Sequence, residues 1–285
     1  MARITFLGTG GGRFMTVFQR LSTGGFRISS RGVIMGVDPG PGAILRTKEL
    51  GMDPTKSNSL FVSHCHPDHY TDAEVMIEGM TQGGMRKMGT LVGSESVIKG
   101  ADGFEKPISD FHLSKPEKVV TMKGGERHAL NEWCSLEATK TLHSDPSAVG
   151  FMLKTPDGII GYTSDTQLFD GLAQQYKGAK VLILNVIRPL ERRIQWHLCT
   201  EDAAKIIAEV KPKLAVLTHF GIAMYNENPS KQCEWISKQT GINTIAAKDG
   251  MSIYVEDEIE IKMNPTVGGA APEEPIPPAN LPEKA

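Results

Sequence analysis

Six consecutive residues, His64-Cys65-His66-Pro67-Asp68-His69, set three imidazoles and one carboxylate directly after an apolar run, Ser59-Leu60-Phe61-Val62-Ser63. Any fold built around this segment must find partners for four ionisable groups at the point where a strand leaves its sheet. His64 and His66 stand two apart, so in extended chain they project to the same side. Cys65 then points the other way, toward the interior, as a packed thiol rather than a ligand. Pro67 turns the chain, and Asp68 and His69 present a second set of donors beside the first. One metal ion would not take four ligands from six consecutive residues without strain. Two adjacent ions sharing the segment fit better, and both need ligands from elsewhere. Imidazole with carboxylate suits zinc first, with manganese, iron or nickel behind.

Further donors stand at other strand ends. Residues 136–143 alternate as a strand and close on His143. Asp165 follows the strand ending Gly161-Tyr162-Thr163-Ser164, and the strand Lys213 to Leu217 runs into Thr218-His219. Other elements read as a strand at 3–7 leading into Gly8-Thr9-Gly10-Gly11-Gly12, a strand at 33–37 and a hairpin of 148–154 with 158–163 around Thr155-Pro156-Asp157-Gly158. A buried strand is expected at Val181 to Val186, and a closing hairpin at 252–255 and 258–262. Thr71 reads as a helix N-cap, with Glu74 completing a capping box. A helix over 201–210, with Thr200 as its cap, aligns Ala203, Ile206, Ile207 and Val210 on one face. Strands interspersed with helices make a mixed α/β chain, and in layered folds strand ends are where side chains from different elements converge.

Composition narrows the class. The 285 residues are 40% hydrophobic, enough for a sizeable core, and 31 Lys+Arg against 33 Asp+Glu leave a net charge of −2. That excludes a binder of long nucleic acid held by bulk electrostatics. No signal-peptide region and no uninterrupted apolar stretch of membrane-spanning length occurs, so a soluble cytoplasmic protein with no membrane partner is expected. Cys65, Cys134, Cys199 and Cys233 form no Cys-x-x-Cys pair and suit reduced thiols. From 264 to 285, Pro, Ala, Gly and Glu dominate, which reads as a disordered tail behind one domain of residues 1–263.

Several features read as structural. The glycine run at Gly8 to Gly12 lacks the third glycine of a dinucleotide fingerprint, with Arg13 in its place and no clear helix after it, and is better read as a tight loop near the site. Asp38, with Pro39 and Gly40, reads as a strand-ending turn near the metals. His112 and His128 read as surface residues.

Taken together, His64-x-His66-x-Asp68-His69 followed by His143, Asp165 and His219 resembles the metallo-β-lactamase superfamily of hydrolases, from the N-terminal strand to about residue 262. The resemblance implies a four-layer αββα sandwich with its site at one edge of the two sheets. Carried over, it implies a first metal on His64, His66 and His143, a second on Asp68, His69 and His219, and Asp165 bridging them. Two such ions can share a water, lower its pKa toward neutrality and make a hydroxide nucleophile. The resemblance also suggests that Asp68 orients that water. Iron-dependent redox relatives resemble His-x-Glu-x-Asp, whereas His66 is the middle ligand here and no flavodoxin-like domain follows, which argues for a hydrolase.

The superfamily hydrolyses lactams, thioesters, lactones and phosphodiesters, so the fold does not choose among them. The segment His197-Leu198-Cys199-Thr200 resembles the His-x-x-Thr element of the ribonuclease Z and small cyclic-phosphodiesterase branch, where a histidine beside the metals protonates the leaving oxygen or binds phosphate. Phe6-Leu7-Gly8-Thr9-Gly10 resembles the start of that branch too. Ribonuclease Z carries a long tRNA-gripping arm between the counterparts of His143 and Asp165, whereas residues 144–164 here read as a hairpin. No cysteine precedes Cys65, so the N-terminal zinc site common among the small cyclic phosphodiesterases is missing. The expected activity is a two-metal phosphodiesterase of a small phosphodiester, cyclic ones included, with Asp68 and His197 catalytic. The alternatives are an armless tRNA 3′-processing ribonuclease and a lactone or thioester hydrolase. Arg188, Arg192 and Arg193 are secondary candidates for phosphate contacts. The superfamily often forms dimers, so a homodimer is an expectation from the resemblance alone.

Overall fold

The computed structural model describes residues 1–101 and 103–264. Two mixed sheets face each other. Across the first, the strands lie in the order Ile259–Met263, Met251–Val255, Ala2–Phe6, Phe26–Ser30, Val33–Val37, Ser59–Val62, Thr90–Gly93 and Lys118–Thr121. The last four run parallel to one another and the rest are antiparallel. In the second sheet the order is Thr244–Ala246, Leu214–Thr218, Val181–Arg188, Gly158–Tyr162, Val149–Thr155, Ser135–Lys140 and Arg127–Ala129, with Leu198–Cys199 paired to the end of Val181–Arg188.

The inner faces supply the main core. Phe61 and Phe151 meet edge to face across it with ring centroids 4.9 Å apart, and Phe26 meets Tyr162 the same way at 5.0 Å. Burying one such side chain contributes about 1.5–3 kcal/mol. Ser59–Val62 and Leu214–Thr218 are buried along their whole length because helices cover their outer faces. The helix Ala73–Met80 lays Ala73, Met76 and Ile77 over Leu60, Val62 and Leu91. Thr200–Val210 and Pro229–Thr240 cover Leu182, Leu184 and Ala215 of the other sheet. The result is helix, sheet, sheet, helix, the metallo-β-lactamase fold that the resemblance implies. No helix among the described residues is long and apolar enough to cross a membrane.

Local departures from the sequence reading have physical causes. Thr71 is not the cap of Ala73–Met80. Its hydroxyl donates back to the Pro67 carbonyl, Asp72 takes the cap position, and Glu74 turns away to accept the Ser109 N–H at 2.7 Å. Thr200 is the first helical residue rather than the cap. Cys199 caps the helix with Asp202 closing the box, while the Thr200 hydroxyl donates to Gln232. His143 lies beyond its strand, because pairing ends where Lys140 meets Val149 and residues 141–148 form the connection. A short helix, Arg13–Phe18, does follow the glycine run. Of the expected tail only Asn264 is described, with its amide donating to Gly250 and Ser252; the rest lies outside the described residues.

Candidate metal centre

The carboxyl ends of Ser59–Val62, Gly158–Tyr162 and Leu214–Thr218 open on one edge of the sandwich. The connection after Ser135–Lys140 reaches the same edge. All seven side chains singled out as metal ligands come together there. His64 Nε2 lies 3.0 Å from His66 Nδ1, which lies 3.1 Å from His143 Nε2. Beside this all-imidazole nest, His219 Nε2 is 3.1 Å from both His69 Nε2 and Asp68 Oδ2. The Asp165 carboxylate spans the two groups, with Oδ1 at 3.3 Å from His219 Nε2 and Oδ2 at 3.6 Å from His69 Nε2 and 3.9 Å from His143 Nε2. His197 joins them, its Nδ1 3.5 Å from Asp165 Oδ2.

The far side of each ring says where its proton sits. His143 Nδ1 donates to the Trp196 carbonyl at 2.9 Å, and His69 Nδ1 donates to Asp38 at 2.9 Å. Ser63 gives its hydroxyl proton to Asp38, so its oxygen accepts from His64 Nδ1 at 2.9 Å. In each case the Nε2 lone pair is left facing the cluster. Lone pairs about 3 Å apart repel unless a cation sits between them. Four ligands at 2.0–2.1 Å around a tetrahedral ion stand about 3.3 Å from each other, close to the spacing in the imidazole nest. Histidine ligands that donate their second nitrogen to a carboxylate or carbonyl are the usual pattern around bound metal. The donor set therefore fits divalent metal ions, and four groups of three donors lie close enough to hold one.

The two groups differ electrostatically. Burial, then the charge of neighbouring imidazoles, holds His64 far below its ordinary value and His66 down to about 4. Burial likewise lowers His143, and pushes His197 to about 4. Burial also opposes charge on His69, but Asp68, Asp165 and Asp38 outweigh it and raise that imidazole well above its usual range. Against the same burial, His219 and His69 hold the Asp165 carboxyl well below the carboxylate range, and His69 and His219 lower Asp68.

Three supporting residues escaped the sequence reading. Asp38 is more than a turn. Its buried carboxylate accepts from the Ser63 N–H and hydroxyl, His69 Nδ1 and the Tyr162 hydroxyl, so one side chain sets the rings of His64 and His69. Its positive φ of 49° turns the chain toward the site. The Asn185 amide donates to Asp165 Oδ1 at 2.7 Å and to Tyr162 at 3.1 Å; its only sequence signal is a polar residue inside an apolar run. Asp145, fully buried, accepts from the Cys65 N–H, the Ser96 hydroxyl and both Ser147 donors, which ties the histidine turn to the His143 loop.

The glycine run lies against the same cluster. Gly12 donates its N–H to Asp68 Oδ2 at 2.7 Å, and a Cβ on Gly11 would meet the His219 ring at 2.1 Å. Cys65 is buried, its thiol donates to the Glu105 carbonyl at 3.4 Å and not toward the cluster, and burial raises it to about 11. His112, read as a surface residue, lies between Glu74 at 3.1 Å and Glu78 at 3.3 Å, where it fastens the helix Asp110–Leu113 to Ala73–Met80. Arg192 pairs with Glu227 and Arg193 with Asp202.

Residues 36–220 match a family described as the beta-lactamase superfamily domain. An uncharacterized protein of Methanocaldococcus jannaschii, MJ1374, is 44% identical over 252 residues, spanning 88% of this chain and 94% of that one. Ribonuclease Z of Thermococcus kodakarensis is 21% identical, with 87% and 93% covered. Among solved structures, the metallo-beta-lactamase fold protein YhfI of Bacillus subtilis superposes with a TM-score of 0.71 at 18% identity, over 88% of this chain and 98% of that one. A diphosphatase of the PhnP family does so at 0.67 and 16%, over 90% and 98%.

Proposed function

Because the chain belongs to the metallo-β-lactamase superfamily, with ribonuclease-Z-like relatives, we propose that it is a metal-dependent phosphodiesterase of a small phosphodiester. The observation that carries this reading is His197 standing 3.5 Å from the carboxylate that spans both donor groups. His64, His66 and His143 would hold one divalent ion, Asp68, His69 and His219 a second, and Asp165 would lie between them. Ions held there, zinc first by the chemistry of the donors, would supply Lewis-acid charge and a water acidic enough to ionise near neutral pH.

The chain's own residues do the rest. Asp68, with Oδ2 fixed by the Gly12 N–H, is placed to orient the attacking water. Burial holds His197 near 4 and Asp165 beside its Nδ1 opposes that, so the ring takes up its proton as negative charge builds on the phosphoryl group. Its other nitrogen is then free to protonate the departing alkoxide, a role worth about 10²–10⁴-fold. A lactone or thioester offers a better leaving group and needs this proton less. The tight hairpin Val149–Thr155 with Gly158–Tyr162, where ribonuclease Z carries its arm, supports a small substrate over tRNA. Four free, buried thiols support a reducing compartment such as the cytoplasm.

The test is turnover of bis(p-nitrophenyl) phosphate by zinc- or manganese-reconstituted protein, beside His197→Ala. A fall of about 10²-fold or more in kcat is expected. Equal turnover by the variant, or turnover confined to lactones and thioesters, would overturn the reading.

A further inference from the structure

A cavity of about 310 Å³ adjoins the donor cluster through His197, with Gln167, Leu168, Arg193, Ile194 and Asp202 among its walls. Its polar groups are unusual in what they have left to offer. Asp202 Oδ1 is taken by the Arg193 guanidinium, and Oδ2 by the Cys199 N–H and thiol. Gln167 Oε1 is taken by the Trp196 N–H. The Asp202 and Gln167 acceptors are spent, the Gln195 amide keeps both its oxygen and its N–H₂, and the Gln167 amide N–H₂ and the outer edge of the Arg193 guanidinium are still available as donors. Leu168 and Ile194 supply apolar wall.

Asp202 is almost wholly buried, whereas Arg193 is about half exposed. The buried carboxylate therefore anchors one guanidinium nitrogen, Nη2, and leaves the remaining Arg193 donors facing outward. A guanidinium fixed in advance binds phosphate in a two-pronged fashion at little further entropy cost. The volume lies at the small end of ligand pockets, suited to a sugar-sized group between His197 and Arg193.

We propose that this cavity seats the leaving group of the substrate, and that Arg193 selects a leaving group carrying a second phosphate. The inference rests on the phosphodiesterase reading for which phosphoryl group is cleaved, but the cavity's preference for phosphate is measurable without turnover. Arg193 is a specificity residue here, and Asp202 positions it.

The experiment is calorimetric titration of thymidine and thymidine 3′-phosphate into the zinc-loaded full chain, its Arg193→Gln variant and its Ile194→Trp variant. The phosphorylated probe is expected to bind wild type at least ~10-fold tighter than thymidine, as a charge-assisted hydrogen bond gives. That preference is expected to fall to within ~3-fold in Arg193→Gln. Ile194→Trp fills the cavity, keeps the Arg193–Asp202 pair and should weaken both probes. Equal binding of the two probes to wild type overturns the proposal. A phosphate preference that survives Arg193→Gln, as a phosphate resting on the metal ions would give, overturns it as well. Should Arg193→Gln lose its melting transition, Ile194→Trp decides, and undiminished binding there is fatal. Absence of turnover on every diester, with the binding preference intact, would remove the function reading and leave the pocket.

Discussion

The two halves of the donor cluster share Asp165 and lie side by side, yet they treat a proton in opposite ways. In the His64, His66 and His143 group, burial and mutual repulsion keep the rings neutral, so without metal the facing lone pairs have only a ring N–H of His66 to accept from, and no charge. In the Asp68, His69 and His219 group the carboxylates raise His69 far enough that a proton can stand in for the cation. The first has no charge of its own to stand in for a metal ion. The second is half-satisfied by its own ion pairs, such as His69 with Asp38 at 2.9 Å and with Asp68 at 3.6 Å. Metal dependence should therefore be unequal across the cluster.

Asp165→Ala strikes at what the halves share and should have the largest effect. Removing the one carboxylate within reach of both groups is expected to lower metal-dependent turnover by about 10³-fold or more. Elemental analysis should find less than one ion per chain. A variant that still holds two ions would show that the halves are independent after all.

His66→Ala separates them. It removes one of three imidazoles from the group that depends on metal and leaves the carboxylate group whole. About one ion per chain should be lost, with the other retained. The mirror variant, His219→Ala, leaves Asp68 and His69 as an ion pair and should leave the protein more heat-stable without metal than His66→Ala does. The reverse order of melting temperatures would break the comparison.

Asp38→Asn probes the support beneath both halves, since that carboxylate sets the rings of His64 and His69. Changes of this kind cost about 10–100-fold in metal affinity, which competition with a chromophoric chelator would measure. The position also marks where the sequence stops being legible. The converging donors could be picked out because they are local: four crowd into six residues and the others stand just past apolar runs. Short apolar runs, and the alternation over 136–143, likewise marked most strands of both sheets. Asp38, Asn185 and Asp145 could not be picked out, because each acts on a partner 20 or more residues away. In sequence they are a residue in an Asp-Pro-Gly turn, an interruption and a loop acid. The misread caps at Thr71 and Thr200 have the same origin. Each hydroxyl met a competing acceptor, Pro67 or Gln232, that only the folded chain supplies.

Acid should separate the halves more gently in metal-stripped protein. His66 and His197 are held near 4 in the folded chain, against about 6.5 unfolded. Between those values the unfolded chain takes up protons that the folded chain refuses, so stability falls as pH drops from about 6.5 toward 4. His69, raised, works the other way, and its contribution is already complete below about 6.5. Asp68 and Asp165, lowered from 3.8, lose theirs only beneath this window. Melting temperature should therefore decline from pH 6.5 to 4.5 in stripped protein. His66→Ala, lacking one of the refused protons, should decline less steeply. A flat profile in the unsubstituted chain would mean the imidazole group accepts protons readily and is not the uncharged site described above.

The smallest effect belongs to Ser63→Ala. Its hydroxyl relays Asp38 to His64 Nδ1, so the change touches the imidazole group alone, while His69 keeps its own bond to Asp38. Losing one buried hydrogen bond costs about 1 kcal/mol, or a little over fivefold in affinity for whichever ion that group holds. The test is a two-step chelator titration, in which the weaker step should shift and the other stay put. A shift of both steps would mean that Ser63 acts through Asp38 on the whole cluster, and that the two groups share their support as well as their bridging carboxylate.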